Sequence, residues 1–141
     1  MIERYYVERA SALAPSPRAV ETVLALAARG VAQACVSNSS RAIVDANLDA
    51  LGIRNILAFS ISLDDVLAGK PHPEPFGEAA QRFALPVKTI VAVEDSLAGA
   101  RSARDAGLYV VGYAPQGSAP IGCDRSIAVL SEILTMFRGQ L

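Results

Sequence analysis

The sequence predicts an α/β fold: an open parallel sheet with helices on both faces. Two observations carry the prediction. Short apolar runs rich in Val, Ile and Ala recur along the chain without polar/apolar alternation, as in strands covered on both sides. The segments between them show helical spacing of apolar residues, bounded by helix start and stop residues. In such a sheet ligands bind outside the carboxyl ends of the strands, so function is sought there.

The runs, in order, are VAQACVSN, ILAFSI, TIVAVED and LYVVGYA. A first helix is expected before them, with Ser16 as N-cap, Pro17 at the first helical position, Val20, Leu24 and Ala27 on one face and Gly30 past its end. A second starts near Ser40, places Val44, Leu48 and Leu51 together and stops at Gly52. A third carries Phe76, Ala80 and Phe83, and a fourth runs from Ser96 to Gly107 with Leu97 and Ala100 on its face. The last aligns Ile127, Leu130, Leu134 and Phe137.

Bulk properties narrow the function. A chain of 141 residues, 52% of them hydrophobic, can bury one core of ordinary size. The net charge of −1 comes from scattered charges, with no basic stripe for nucleic acid and no polybasic face for a membrane. The opening MIERYYVERA lacks the apolar centre of a signal peptide, and no apolar run approaches the roughly 18 residues of a membrane span. A cytoplasmic location is therefore expected. Cys35 and Cys123 stand far apart, with no companion His and no CxxC, which suggests reduced thiols.

Three strand ends carry chemistry. After the first run comes Ser37-Asn38-Ser39-Ser40, a hydroxyl and an amide followed by a helix N-terminus, which suits either an anion cradle or an ordinary helix cap. After the second comes Gly69-Lys70-Pro71-His72-Pro73, in which prolines stiffen the loop and present Lys70 at a fixed place. A positioned ammonium suits a phosphate, and a surface lysine in a Pro-rich turn is the plainer alternative. The third run ends in Glu94-Asp95. Adjacent carboxylates repel and are cheapest with a divalent cation between them, and hard oxygen donors point to Mg²⁺. The alternative is that Asp95 caps the next helix while Glu94 points to water.

The order of hydroxyl, lysine and acidic pair along successive strand ends resembles the haloacid dehalogenase-like hydrolase superfamily, in particular its phosphatase and phosphomutase branch with a helical cap. VSNSS looks like the second motif of that family, GKPHPEPF like the third and VEDSLAG like the fourth, over a stretch from about Pro15 to the C-terminus. The resemblance implies Mg²⁺-dependent phosphoryl transfer or phosphomonoester hydrolysis on a small phosphorylated metabolite, through an aspartyl-phosphate. Ser37 and Lys70 would be catalytic; Ser37, Asn38 and Lys70 would bind phosphate; Glu94 and Asp95 would hold the metal.

The family's first motif, two aspartates separated by one residue, is absent. The aspartates stand at 45, 49, 64, 65, 95, 105 and 124, and no D-x-D occurs; Asp64-Asp65 reads as turn chemistry. Residues 1–14 resemble the remnant of a cap helix and linker, with 15–141 as the C-terminal part of the core domain. On this reading the sheet is incomplete, with its central first strand missing. Either the chain is a portion of an ordinary phosphatase, or it is a short non-catalytic relative that binds phosphate or a partner; retention of the acidic pair, lysine and hydroxyl favours the first. The vacated slot, between the strand ending at Ser37 and the strand ending at Asp95, is expected to be filled by a separate chain carrying the missing region, by exchange between copies or, as the least favoured of the three, by Met1 to Val7.

Overall fold

A computed structural model describes residues 18–120 and 122–137 together with the backbone of 5–8. Its elements in order are β1 (Tyr5–Glu8), α1 (Ala19–Ala28), β2 (Gln33–Val36), α2 (Arg41–Leu51), β3 (Phe59–Ile61), α3 (Glu74–Phe83), β4 (Ile90–Glu94), α4 (Leu97–Asp105), β5 (Tyr109–Tyr113) and β6 (Arg125–Ile127). Short 3-10 turns cover Leu63–Asp65 and Val87–Thr89, and a longer 3-10 segment covers Leu130–Phe137.

The strands form one sheet in the order β3-β2-β1-β4-β5-β6, and every neighbouring pair is parallel. Side chains alternate between two cores. Cys35, Val91, Val93, Val111 and Tyr113 face one side, where α1, α2 and the 130–137 segment supply Val23, Leu26, Val44, Leu48, Ile133 and Phe137. Val36, Ile90, Ala92 and Val110 face the other, against Phe76, Ala79 and Ala80 of α3 and Ala100 and Ala103 of α4. This double coverage is why the strands read as unbroken apolar runs: burial patterns are BBBB for β2 and BBBBB for β4.

Local signals set the helix ends. The Ser40 hydroxyl accepts a hydrogen bond from Ile43 N at 3.4 Å, and Gly52 closes α2 in the left-handed region at φ 73°. Ser96 caps α4 by accepting from Gly99 N at 3.0 Å.

Four findings differ from expectation. In α1 the buried face is Ala19, Thr22, Val23 and Leu26, while Leu24 and Ala27, expected on one face with Val20, are exposed. The slot between β2 and β4 is filled by this chain's own residues, the third of the expected occupants: β1 pairs Val7 with Ala34 on one side and with Ala92 on the other. Its backbone is a strand where the end of a cap helix was expected; the rest of 1–14, like Ser16 and Pro17, lies outside the described residues. At the C-terminal end, Ile127 belongs to strand β6 and the turn that follows is 3-10, so the expected single α-helix through Ile127 and Phe137 is replaced by two elements. Ile127, Leu130 and Phe137 are nonetheless all buried, which explains why their spacing read as one face.

The chain runs from β1 outward through β2 to β3, then returns to β4 and continues the other way. Strand order therefore reverses beside β1, and the crevice at the carboxyl ends of β2, β1 and β4 is where such a sheet offers a binding site.

Candidate active site

The loop after β2 begins with Ser37, whose N–H is bonded to Ile61 O at 2.9 Å and whose hydroxyl accepts from Ser39 N at 3.1 Å. Ser37 is buried at 4% exposure, and its hydroxyl is held by the Ser39 amide. The helix cap is Ser40, which leaves Ser37 outside the capping role.

Lys70 sits deeper than a loop lysine should. Its ammonium lies 2.5 Å from Glu94 Oε2, with side-chain exposures of 3% and 0%, and 5.3 Å from the Phe76 ring centroid. Burying two full charges is costly unless they pair, so this ion pair is better evidence of a prepared site than of added stability. Glu94 thus points inward rather than to water, and Ser96 rather than Asp95 caps α4, so both parts of the plainer reading of the acidic pair are set aside. Asp95 is exposed at the mouth of the crevice.

The loop that carries Lys70 is closed by its own polar groups. Glu74 accepts from Leu67 N at 2.9 Å and from Ala68 N at 3.0 Å, His72 N bonds Gly69 O at 3.0 Å, and the Ser102 hydroxyl donates to His72 O at 2.6 Å. His72 Nδ1 accepts from Glu74 N at 3.1 Å, so the histidine serves the turn. The Lys70-Pro71 peptide bond is cis.

Asn38 joins the two loops: its Oδ1 accepts from Lys70 N at 2.9 Å and its Nδ2 donates to Lys70 O at 3.0 Å. Ser37, Asn38, Lys70, Glu94 and Asp95 thus gather along the carboxyl ends of β2, β3 and β4.

Residues without an assigned role also shape the site. A Cβ on Gly99 would stand 2.0 Å from Glu94 Oε1, and one on Gly69 would stand 2.7 Å from both Asn38 Oδ1 and Leu63 Cδ1. Both glycines lie within the stretches GKPHPEPF and VEDSLAG, yet nothing in composition distinguishes a glycine kept for clearance from one kept for a turn. Arg41, at the start of α2, donates to Asp45 Oδ1 at 3.0 Å, Ser60 Oγ at 2.5 Å, Ser60 O at 2.9 Å and Asp65 Oδ2. Asp65 Oδ2 also accepts from Ser62 N at 2.7 Å, and Asp64 Oδ2 accepts from Arg41 N at 2.9 Å. The Asp64-Asp65 pair is turn chemistry that braces the β2 and β3 loops. Burial alone would raise the Asp65 carboxyl, but the bonds from Ser62 and Arg41 outweigh it and hold it below the ordinary range.

Among the described residues no cluster of three His, Cys, Asp or Glu side chains is placed to hold a metal, and no helix is long and apolar enough to cross a membrane. Glu94 and Asp95 carry oxygen donors of the hard type that Mg²⁺ takes.

The phosphoglycolate phosphatase encoded on a plasmid of Cupriavidus necator is 33% identical over 147 residues, covering 98% of this chain and 64% of that protein. The phosphoglycolate phosphatase of Escherichia coli is 33% identical over 113 residues, covering 79% of this chain and 45% of that one. Among solved structures, a predicted phosphoglycolate phosphatase from Haemophilus somnus superposes with a TM-score of 0.80 at 30% identity, over 89% of this chain and 58% of that one. CbbY from Rhodobacter sphaeroides, solved with phosphate, gives 0.74 at 27% identity over 84% and 56%. The chain therefore spans roughly half to two thirds of the length of the relatives it matches. A family model described as haloacid dehalogenase-like hydrolase matches residues 2–107, which contain every strand end considered above, and the chain belongs to that family.

Proposed function

We propose that this chain supplies the phosphate-binding and metal-binding half of a Mg²⁺-dependent phosphohydrolase acting on a small phosphorylated metabolite. The single observation that carries the reading is the buried pair of Lys70 and Glu94 at the strand-order reversal. The names of the relatives, phosphoglycolate phosphatases, favour a small phosphomonoester as substrate.

In this reading Lys70 offsets phosphoryl charge and the Ser37 hydroxyl donates to a phosphoryl oxygen. Glu94 keeps the ammonium aimed into the crevice, and together with Asp95 holds Mg²⁺. When bound, the metal offsets the charge of phosphate and of the attacking carboxylate. The covalent step of the family, formation of an aspartyl-phosphate, needs an aspartate of a D-x-D segment, and this sequence contains none. A strand carrying that motif belongs at the central position of the sheet, where Tyr5–Glu8 now pairs with both neighbours. It would come from an N-terminal fragment, since a second copy of this chain could complete the sheet but brings no D-x-D.

A second reading is favoured by one observation: the strand in the central position, Tyr-Tyr-Val-Glu, has no aspartate. It makes the chain a non-catalytic phosphate or partner binder. One experiment separates the two. The chain as given should release no phosphate from a generic phosphomonoester with Mg²⁺, and its Mg²⁺ affinity should be no better than about millimolar, because this ion gives up water reluctantly. Extension by an upstream D-x-D strand should restore hydrolysis, and Asp95→Asn in the extended protein should abolish most of it. Failure of the extended protein to turn over would favour the second reading.

A further inference from the structure

We propose that Asn38 acts by positioning Lys70 and not by contacting phosphate itself, a role that rests on the reading of Lys70 as the phosphate-binding cation. Both functional groups of the carboxamide meet the backbone of a single residue: Oδ1 takes the N–H of Lys70 and Nδ2 gives to the C=O of Lys70. An acceptor and a donor set side by side match the amide and carbonyl of one residue, as a neighbouring strand would, and fix that residue's backbone in two directions. The contact spans 32 positions in sequence and ties the β2 loop to the β3 loop. Gly69 marks how close the approach is, since a Cβ there would meet Asn38 Oδ1 at 2.7 Å. With the backbone fixed by Asn38 and the ammonium fixed by Glu94 at 2.5 Å, Lys70 is held at both ends. The second Nδ2 hydrogen stays uncommitted, so direct contact with the anion makes a different prediction from positioning: losses that add to those of Lys70→Ala.

The test uses the full chain and inorganic phosphate. In Asn38→Ala the Lys70 amide should exchange with solvent about tenfold faster, the loss of one hydrogen bond, while the amides of Val91 and Val111 keep their rates. Acetic anhydride should acylate Lys70 several-fold faster. Phosphate binding should weaken in Asn38→Ala and in Lys70→Ala, and the losses should not add in the double variant, because Asn38 has nothing to position once the ammonium is gone. Gly69→Ala, which leaves every polar group in place, should reproduce the faster exchange at Lys70. Unchanged exchange at Lys70, or phosphate losses that add, would overturn the proposal. A chain that binds no phosphate counts against the proposed function instead, and exchange with acylation then decides the role of Asn38. If Asn38→Ala does not fold, Asn38→Leu serves the same purpose, since it nearly keeps the volume and removes both the acceptor for Lys70 N and the donor to Lys70 O.

Discussion

The Lys70 ammonium and the Glu94 carboxylate face each other at 2.5 Å with almost no solvent on either. Removing one partner leaves the other charge buried alone, whereas removing both leaves a polar but neutral contact. Lys70→Met or Glu94→Gln should each destabilise the chain by about 3–5 kcal/mol. Their combination should recover most of that loss. Urea denaturation of the three variants checks this; additive losses would mean that the two charges are not coupled.

Gly99 is required by Glu94 and not by its own backbone. Its φ is ordinary, but an added Cβ would lie 2.0 Å from Glu94 Oε1 within a buried ion pair that has little freedom to shift. Gly99→Ala should cost about 1–3 kcal/mol, the usual scale of overpacking. Gly77, inside α3 with nothing within 4 Å of its would-be Cβ, is the control: Gly77→Ala should stabilise by about 0.5–1 kcal/mol. Thermal melts of the two variants should move in opposite directions.

These two glycines show where the sequence was legible and where it was not. Strands β2 to β5 and helices α2 to α4 announce themselves because each buries a local face against a common sheet, and their caps Ser40, Gly52 and Ser96 act within one turn. The placement of Ser37, Lys70 and Glu94 at one edge was legible because each stands at or beyond the carboxyl end of a strand, and parallel strands deliver those ends together. Four things were not. The inward turn of Glu94 onto Lys70 depends on a contact 24 residues away, and the Asn38 clamp on one 32 away. Strand β1 owes its place to the unpaired edges of β2 and β4 rather than to any signal of its own, since YYVE fits a helix end as readily as a strand. The last segment was misread because burial of Ile127, Leu130 and Phe137 in one core mimics helical spacing across a strand and a 3-10 turn.

Asp65 gives the fold an acid dependence. Its native pKa lies below the ordinary value of 3.8, chiefly because bonds from Ser62 and Arg41 outweigh a burial effect of opposite sign. The unfolded chain therefore binds this proton first as pH falls, so stability rises with pH through that window. The contribution is complete above about pH 4 to 5 and is lost progressively as pH falls from 3.8 through the lowered native value. Urea midpoints of the unaltered chain should fall over that range more steeply than those of Asp65→Asn, and the two should converge at its acid end. Parallel curves would assign the acid sensitivity to other carboxylates.

The central strand supplies the strongest test of the architecture. β1 contributes only Tyr5–Glu8, yet it pairs in parallel with β2 on one side and β4 on the other, so its amides and carbonyls satisfy two edges at once. A residue inside it that cannot donate must break the ladder on the side its N–H faces, and proline in an interior strand also clashes with the neighbouring chain. Val7, registered with both Ala34 and Ala92, is the position to change. Val7→Pro should cost about 3 kcal/mol or more. It should also raise amide exchange in Gln33–Val36 and Ile90–Glu94 while leaving the β5 to β6 pairing protected. Exposed inner edges recruit whatever extended backbone is at hand. The variant should therefore self-associate, or be rescued by a peptide carrying a D-x-D strand, measured as restored protection of the same amides. If Val7→Pro is as stable and as monomeric as the unaltered chain, residues 5–8 do not hold the centre of the sheet.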